Sequence, residues 1–196
     1  MNANLINFKT HPPSICTGVE DFIQISLKDL KRSGAVIGLS GGLDSAVAAV
    51  LAVRSLGTEK IHLLYMPERD SGPVHREHAR RLADHLGVPL TIKNITSVLT
   101  SAGTYRILGL GLIPWRKLRK RLVDYGRKKL LDHDDKGILS VRLSPGENSW
   151  AARGNTYGMT KHRIRAALVY QYAELRNLMV VGAANRTEVL TGTFCK

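Results

Sequence analysis

Apolar and polar residues follow one another along this chain on two different periods. Residues 18–31 carry Val19, Phe22, Ile23, Ile25, Leu27 and Leu30 at helical spacing, and Ser33-Gly34 closes the run. Ala35-Val36-Ile37 is short, apolar and largely β-branched, the signature of a buried strand. Residues 46–53 are apolar, Ala-rich and free of breakers, which predicts a buried helix. Residues 61–66 predict a second strand, closed by Pro67. Residues 73–86 place Val74, Ala79, Leu82, Ala83 and Leu86 on one helical face before Gly87, and residues 88–92 give a third strand. Strands and helices in turn, with short glycine punctuation, predict an α/β fold: a doubly wound parallel sheet in three layers.

The pattern is weaker at the start and in the middle. Residues 1–17 read as an irregular leader in which Pro12 and Pro13 break any regular element. Between residues 96 and 152 the clearest run is basic, with Trp115, Leu118, Leu122, Tyr125, Leu130 and Leu131 near helical spacing. Residues 137–143 read as a short strand or an extended loop. Periodicity returns at 160–176, a helix turning Ile164, Ala167, Leu168 and Tyr172 inward. Lys161, Arg163 and Arg165 stand near its expected start, where cations oppose the helix dipole. Either an anionic ligand draws them there or they face solvent. Residues 178–181 predict a strand ended by Gly182, and 185–190 open another helix.

Composition narrows the class. At 196 residues the chain fits one domain with a sizeable core. The longest apolar candidate, 107–114, is far too short to span a bilayer, and residues 1–9 lack a secretion signal. Cys16 and Cys195 make no disulfide framework. A cytoplasmic enzyme is the expectation. The net charge of +13 suits an anionic substrate or nucleic acid. More than half of it lies in 116–129, where Arg116, Lys117, Arg119, Lys120, Arg121, Arg127, Lys128 and Lys129 face Asp124 alone. That segment reads as a solvated face with an apolar stripe, or as a contact for a phosphate backbone. A membrane partner is not expected, because no broad apolar face opposes the basic one.

The candidate chemistry lies between the first strand and its helix, in Gly38-Leu39-Ser40-Gly41-Gly42-Leu43-Asp44-Ser45. Strand, glycine turn and helix aim backbone N–H groups and a helix amino end at one anion. Gly41 and Gly42 let the main chain approach a phosphate closely. Ser40 and Ser45 offer hydroxyls. Asp44 would repel a phosphate unless Mg²⁺ lay between them; otherwise it caps the helix. Ligands of such sheets bind beyond the carboxyl ends of the strands. The segment 66–71 therefore offers a wall for an adenosine, or is an ordinary polar loop. Glu188, just past the strand at 178–181, would reach an ion held by Asp44.

Ser40-Gly41-Gly42-Leu43-Asp44-Ser45 resembles the SGGxDS pyrophosphate loop of the N-type ATP pyrophosphatases. Gly154-Asn155, then Arg163-Ile164-Arg165 with Tyr170, then Val181-Gly182-Ala183-Ala184-Asn185-Arg186-Thr187-Glu188, then Thr191-Gly192-Thr193-Phe194-Cys195-Lys196 follow in order. Together they resemble the GN…RxRM…Y, VGTxNxxE and GxFTK motifs of the NAD synthetases, over residues 18–94 and 154–196.

The resemblance implies an adenine nucleotide alpha hydrolase-like fold and a two-step ligase reaction. ATP adenylates the nicotinate carboxylate of deamido-NAD, releasing pyrophosphate, and ammonia then displaces AMP. ATP would be held by Gly38, Ser40, Gly41, Gly42, Asp44 and Ser45, and Mg²⁺ by Asp44 and Glu188. Arg163 and Lys196 would contact deamido-NAD, and no side chain is assigned as a catalytic acid or base. A homodimer is implied as well. Free ammonia is the expected nitrogen donor, with a separate amidase subunit as a possible partner. Ala183 stands where the family has a threonine that contacts ATP. One domain over 1–196 is expected, with a basic insertion at about 103–152 and without the family's later Gly-Asp-containing loop and helices. An RNA-modifying adenylyltransferase of the tRNA-thiolation kind, or a non-catalytic nucleotide-binding module, are the competing readings.

Overall fold

The computed structural model describes residues 12–109, 121, 150–185 and 187–188. Its elements are α1 (Pro12–Asp29), β1 (Gly34–Leu39), α2 (Leu43–Leu56), β2 (Ile61–Tyr65), α3 (Pro73–Leu86), β3 (Leu90–Ile92), α4 (Thr96–Ser101), α5 (Trp150–Glu174) and β4 (Leu178–Val181). They fall into two compact units. The first comprises Met1–Pro67, Gly72–Lys93 and Leu168–Phe194; the second comprises Glu68–Ser71, Asn94–Ala167 and Cys195–Lys196.

The first unit is built on a parallel sheet of order β3-β2-β1-β4. Ala35, Ile37 and Leu39 of β1 join Ile61, Leu63 and Tyr65 of β2 on one face. Ile23 and Leu27 of α1, Ala49 and Ala52 of α2, and Ala79 and Ala83 of α3 close over it. On the other face Gly38 lies against Val169 of α5, and His62 Nδ1 lies 3.3 Å from the Tyr172 hydroxyl. Burial, and next the nearby Arg176 charge, hold the His62 imidazole below its ordinary value. Helices thus cover both faces, as the alternation predicted. Gly34 pairs with Leu178 where a Cβ would overlap the Lys60 carbonyl, so only glycine fits at the start of β1. Successive strands run outward from β1 through β2 to β3, while β4 adds on the opposite side. The order therefore reverses between β1 and β4, and sheets of this kind take their ligands at the carboxyl ends of the strands at such a point.

Three of the boundaries that differ from those predicted have a local cause. α1 begins at Pro12 rather than within an irregular leader. Proline in a first helical turn gives up an N–H that would have no partner anyway. β3 begins at Leu90 rather than residue 88. Gly87 ends α3 in the left-handed region, and the Val88 N–H goes back to the Ala83 carbonyl in a helix cap. Pro89 then has no N–H to give a ladder. The third difference is the largest: α5 begins at Trp150, not near residue 160. Gly154, Asn155 and Gly158 hid it, since each lowers intrinsic helicity.

The leader's residues 1–11, the apolar run at 110–114 and the segment 137–143 lie outside the described residues. So does the basic stretch 116–129, except Arg121, which is helical and exposed. Among the described residues no helix is long and apolar enough to cross a membrane.

Candidate active site

In the first unit the glycine loop leaves β1 and turns into α2. Gly38 is not in the loop but inside β1, paired with Leu64. Gly41 sits at φ +78°, where a Cβ would overlap backbone atoms of His75. The loop therefore needs glycine there twice over, for its dihedral and for its contact with α3. Its serines fold it on itself. The Ser40 and Ser45 hydroxyl oxygens lie 2.9 Å apart, the Ser40 N–H donates to Ser45 Oγ at 3.2 Å, and the Gly42 N–H donates to Ser40 Oγ at 3.1 Å. Ser45 is buried and donates to the Gly42 carbonyl at 3.1 Å. Ser40 stays exposed.

Gly42 is the cap residue of α2, and no side chain caps that end. Asp44 lies in the first turn, exposed, and so is not the cap. An uncapped amino end of a 14-residue helix presents N–H groups and a positive dipole end. Such an end suits phosphate.

The neighbouring strand delivers the second carboxylate. After β4 the chain passes Gly182 and Ala183 to Asn185, whose side-chain carbonyl accepts the Glu188 N–H at 2.9 Å. The Glu188 carboxylate accepts the Asn185 N–H at 3.1 Å in return, a capping box. Because the amide oxygen is committed to Glu188, the amide nitrogen must face the other way. It faces Asp44, with Nδ2 3.5 Å from Oδ2. One asparagine thus touches both predicted metal ligands at the switch point between β1 and β4. Asn-x-x-Glu is a capping signal legible in the sequence, whereas the reach of Asn185 toward Asp44 is not.

The second unit holds a separate cluster that sequence reasoning did not assemble. Lys161, in the interior of α5, reaches Glu68 Oε1 at 3.0 Å and Asp70 Oδ2 at 3.1 Å, with its ammonium 4.0 Å over the Tyr157 ring. Tyr105 donates to Glu68 Oε2 at 2.8 Å, and Tyr157 donates to Asp70 Oδ2. Arg69 lies over the Tyr105 ring at 3.8 Å and 3.4 Å from Asp70 Oδ1. Glu68 and Lys161 are 8% and 9% exposed. Burial alone would raise the Asp70 carboxyl, but Tyr157, Lys161 and Arg69 together hold it below the usual range. Burial and the Glu68 carboxylate push the Tyr105 hydroxyl up to about 12. Burial and Asp70 raise Tyr157 as well.

This cluster corrects one expectation. Lys161 does not stand at a helix start wanting an anionic ligand, because α5 begins about three turns earlier and two carboxylates of this chain satisfy it. The same contacts commit Glu68 and Asp70 inward, so their side chains are taken up within the loop proposed as an adenosine wall. Tyr157 and Lys161 stand four apart on one helical face, a spacing visible in the sequence; their partners at 68 and 70 were not. Arg163 is exposed in this unit, Ala183 is half-buried in the first, and Lys196 lies outside the described residues.

Comparisons with known proteins fit this geometry. A family model described as NAD synthase matches residues 15–106. The NH(3)-dependent NAD(+) synthetase of Thermotoga maritima is 37% identical over 175 residues, 89% of this chain and 61% of that one. The enzyme of the same description from Coprothermobacter proteolyticus is 32% identical over 185 residues, 91% of this chain and 61% of that one. Among solved structures, the NH3-dependent NAD synthetase from Campylobacter jejuni, in complex with the nitrate ion, superposes with a TM-score of 0.64 at 26% identity. That match covers 94% of this chain and 62% of the other. The parallel sheet accordingly has the adenine nucleotide alpha hydrolase-like fold expected. The chain spans about three-fifths of the length of the curated relatives it matches.

Proposed function

We propose that this chain is a member of the NAD synthase family and makes the amide of NAD from deamido-NAD, ATP and ammonia. The observation that carries the reading is the uncapped amino end of α2 beside the Asp44–Asn185–Glu188 chain. In the first step a nicotinate carboxylate oxygen bonds to the α-phosphorus of ATP, and the bond from that phosphorus to pyrophosphate breaks. In the second, the ammonia nitrogen bonds to the acyl carbon and loses a proton, and AMP leaves with the electrons of the acyl–oxygen bond. Neither step requires a strong side-chain acid or base. Both require reactants held in line and charge met where it shifts.

The glycine loop supplies that for the pyrophosphate. Ser40, Gly41, Gly42 and the first turn of α2 hold it, Ser45 keeps the loop folded, and Gly38 fixes the exit of β1. Asp44 and Glu188 offer the carboxylate oxygens that Mg²⁺ prefers, each following one of two adjacent strands and each touching an N–H group of Asn185. Bound there, the ion would neutralise phosphate charge beside Asp44. Among the described residues no third His, Cys, Asp or Glu joins them, so phosphate oxygens and water would complete its shell, as Mg²⁺ commonly arranges. Arg163 and Lys196 are assigned to deamido-NAD. A second copy of the chain is the proposed partner, an amidase subunit a further one, and the cytoplasm the proposed location.

The test is incubation with ATP, Mg²⁺, deamido-NAD and ammonium. NAD, AMP and pyrophosphate should appear in equal amounts. Release of neither AMP nor pyrophosphate would overturn the reading.

A further inference from the structure

Two carboxylates brought to one ion repel each other whenever the ion is away. Something must hold them ready. Asn185 contacts both: its N–H and side-chain carbonyl engage Glu188 at 3.1 and 2.9 Å, and its Nδ2 faces Asp44 Oδ2 at 3.5 Å. The three contacts are interdependent, because the Glu188 N–H fixes which end of the amide turns toward Asp44. A cap needs only the carbonyl. The amide donor aimed at Asp44, in the first turn of α2, has no capping job.

We propose that Asn185 is the positioning residue of the Asp44–Glu188 pair, joining the loop after β1 to the turn after β4 so that the ion meets both carboxylates prealigned. This rests on the reading of that pair as the Mg²⁺ ligands. Partners that orient a metal's ligands typically matter tenfold to a hundredfold in metal affinity. Capping alone predicts something different, since Asn, Asp and Ser cap about equally well. Asn185→Ser keeps a cap acceptor and loses the donor toward Asp44.

The experiment is binding of Mn²⁺ with inorganic pyrophosphate, measured on the wild-type chain, D44N, N185S and the double variant. N185S should bind Mn²⁺ about tenfold more weakly with its melting temperature nearly unchanged. In the D44N background the same change should add less than about twofold, because interacting residues are non-additive. In metal-free protein, D44N should also shift the side-chain amide resonance of Asn185. Wild-type Mn²⁺ affinity in N185S, or effects that simply multiply, or an amide resonance blind to D44N, would each overturn the proposal. If D44N itself leaves Mn²⁺ affinity intact, the metal-ligand reading fails first and this inference goes with it. Should N185S fail to fold, N185D retains the cap while setting a third carboxylate against Asp44. Its metal-free melting temperature should drop and Mn²⁺ should restore it; behaviour identical to wild type would leave only a cap.

Discussion

Each unit of this molecule holds a pair of carboxylates, and the two pairs are matched in different ways. In the second unit a buried Glu68 and a half-buried Asp70 meet the ammonium of Lys161 and two tyrosine hydroxyls. In the first, Glu188 accepts from the backbone N–H of Asn185 and Asp44 faces the side-chain Nδ2 of the same residue, with Asp44 exposed. A pair neutralised by the chain's own lysine is architecture. An exposed Asp44 joined to Glu188 through one neutral asparagine, beside an uncapped helix end, suits charge that arrives from outside. Substitutions should therefore damage folding in one unit and chemistry in the other.

The largest expected effect is on the buried pair. Lys161→Met leaves two carboxylates with no ammonium between them, and breaking a buried ion pair costs about 3–5 kcal/mol. Urea denaturation should show that loss. The triple change with Glu68→Gln and Asp70→Asn should recover much of it, because it removes the orphaned charges too. If Lys161→Met costs nothing, the cluster is not what orders the second unit.

The exposed pair should respond in the opposite sense. Asp44→Asn and Glu188→Gln should each lower AMP release about a hundredfold, the scale for losing one group aimed at shifting charge. Their cost in stability should stay near 1 kcal/mol, the worth of a first-turn charge or a cap. A comparable loss of folding would erase the distinction between the two pairs.

What the sequence disclosed divides along the same line. The sheet, the boundaries of α3 and β4, and the glycine loop were legible because each is written locally, in period, breaker and turn chemistry. Asp44 and Glu188 were legible as a pair because each follows the carboxyl end of a predicted strand and both match the family's motifs; that β1 and β4 are neighbours is written only in the fold. The Lys161 cluster was not legible. Its members sit at 68–70, 105, 157 and 161, and no local rule joins them. Gly154, Asn155 and Gly158 near the start of α5 have low helix propensity, so that start was not legible either. Asn185 lay between: the capping box could be read, its reach toward β1 could not.

Gly41 offers a milder test on the loop side. Gly41→Ala imposes a side chain at φ +78° and drives it into the His75 backbone. The dihedral alone costs about 1–2 kcal/mol, and the overlap moves the loop away from α3. Thermal melting should register the first, and weaker pyrophosphate binding the second. Full stability with lost binding would mean that the loop yields while the sheet holds.

The smallest expected effect belongs again to the second unit and shows only in alkali. Burial and Glu68 raise the Tyr105 hydroxyl to about 12, so the folded state keeps this proton longer than the unfolded chain, where tyrosine titrates near 10. The contribution is complete below about pH 10 and is lost as pH climbs toward 12. Tyr157 is shifted the same way, so the wild-type urea midpoint should fall across that window with a slope shared by both. Tyr105→Phe should flatten the slope without abolishing it, whereas Asp44→Asn should leave it unchanged. An unchanged slope in Tyr105→Phe would mean that the hydroxyl titrates as in water, and that the Glu68 contact does not seal this cluster from solvent as its burial implies.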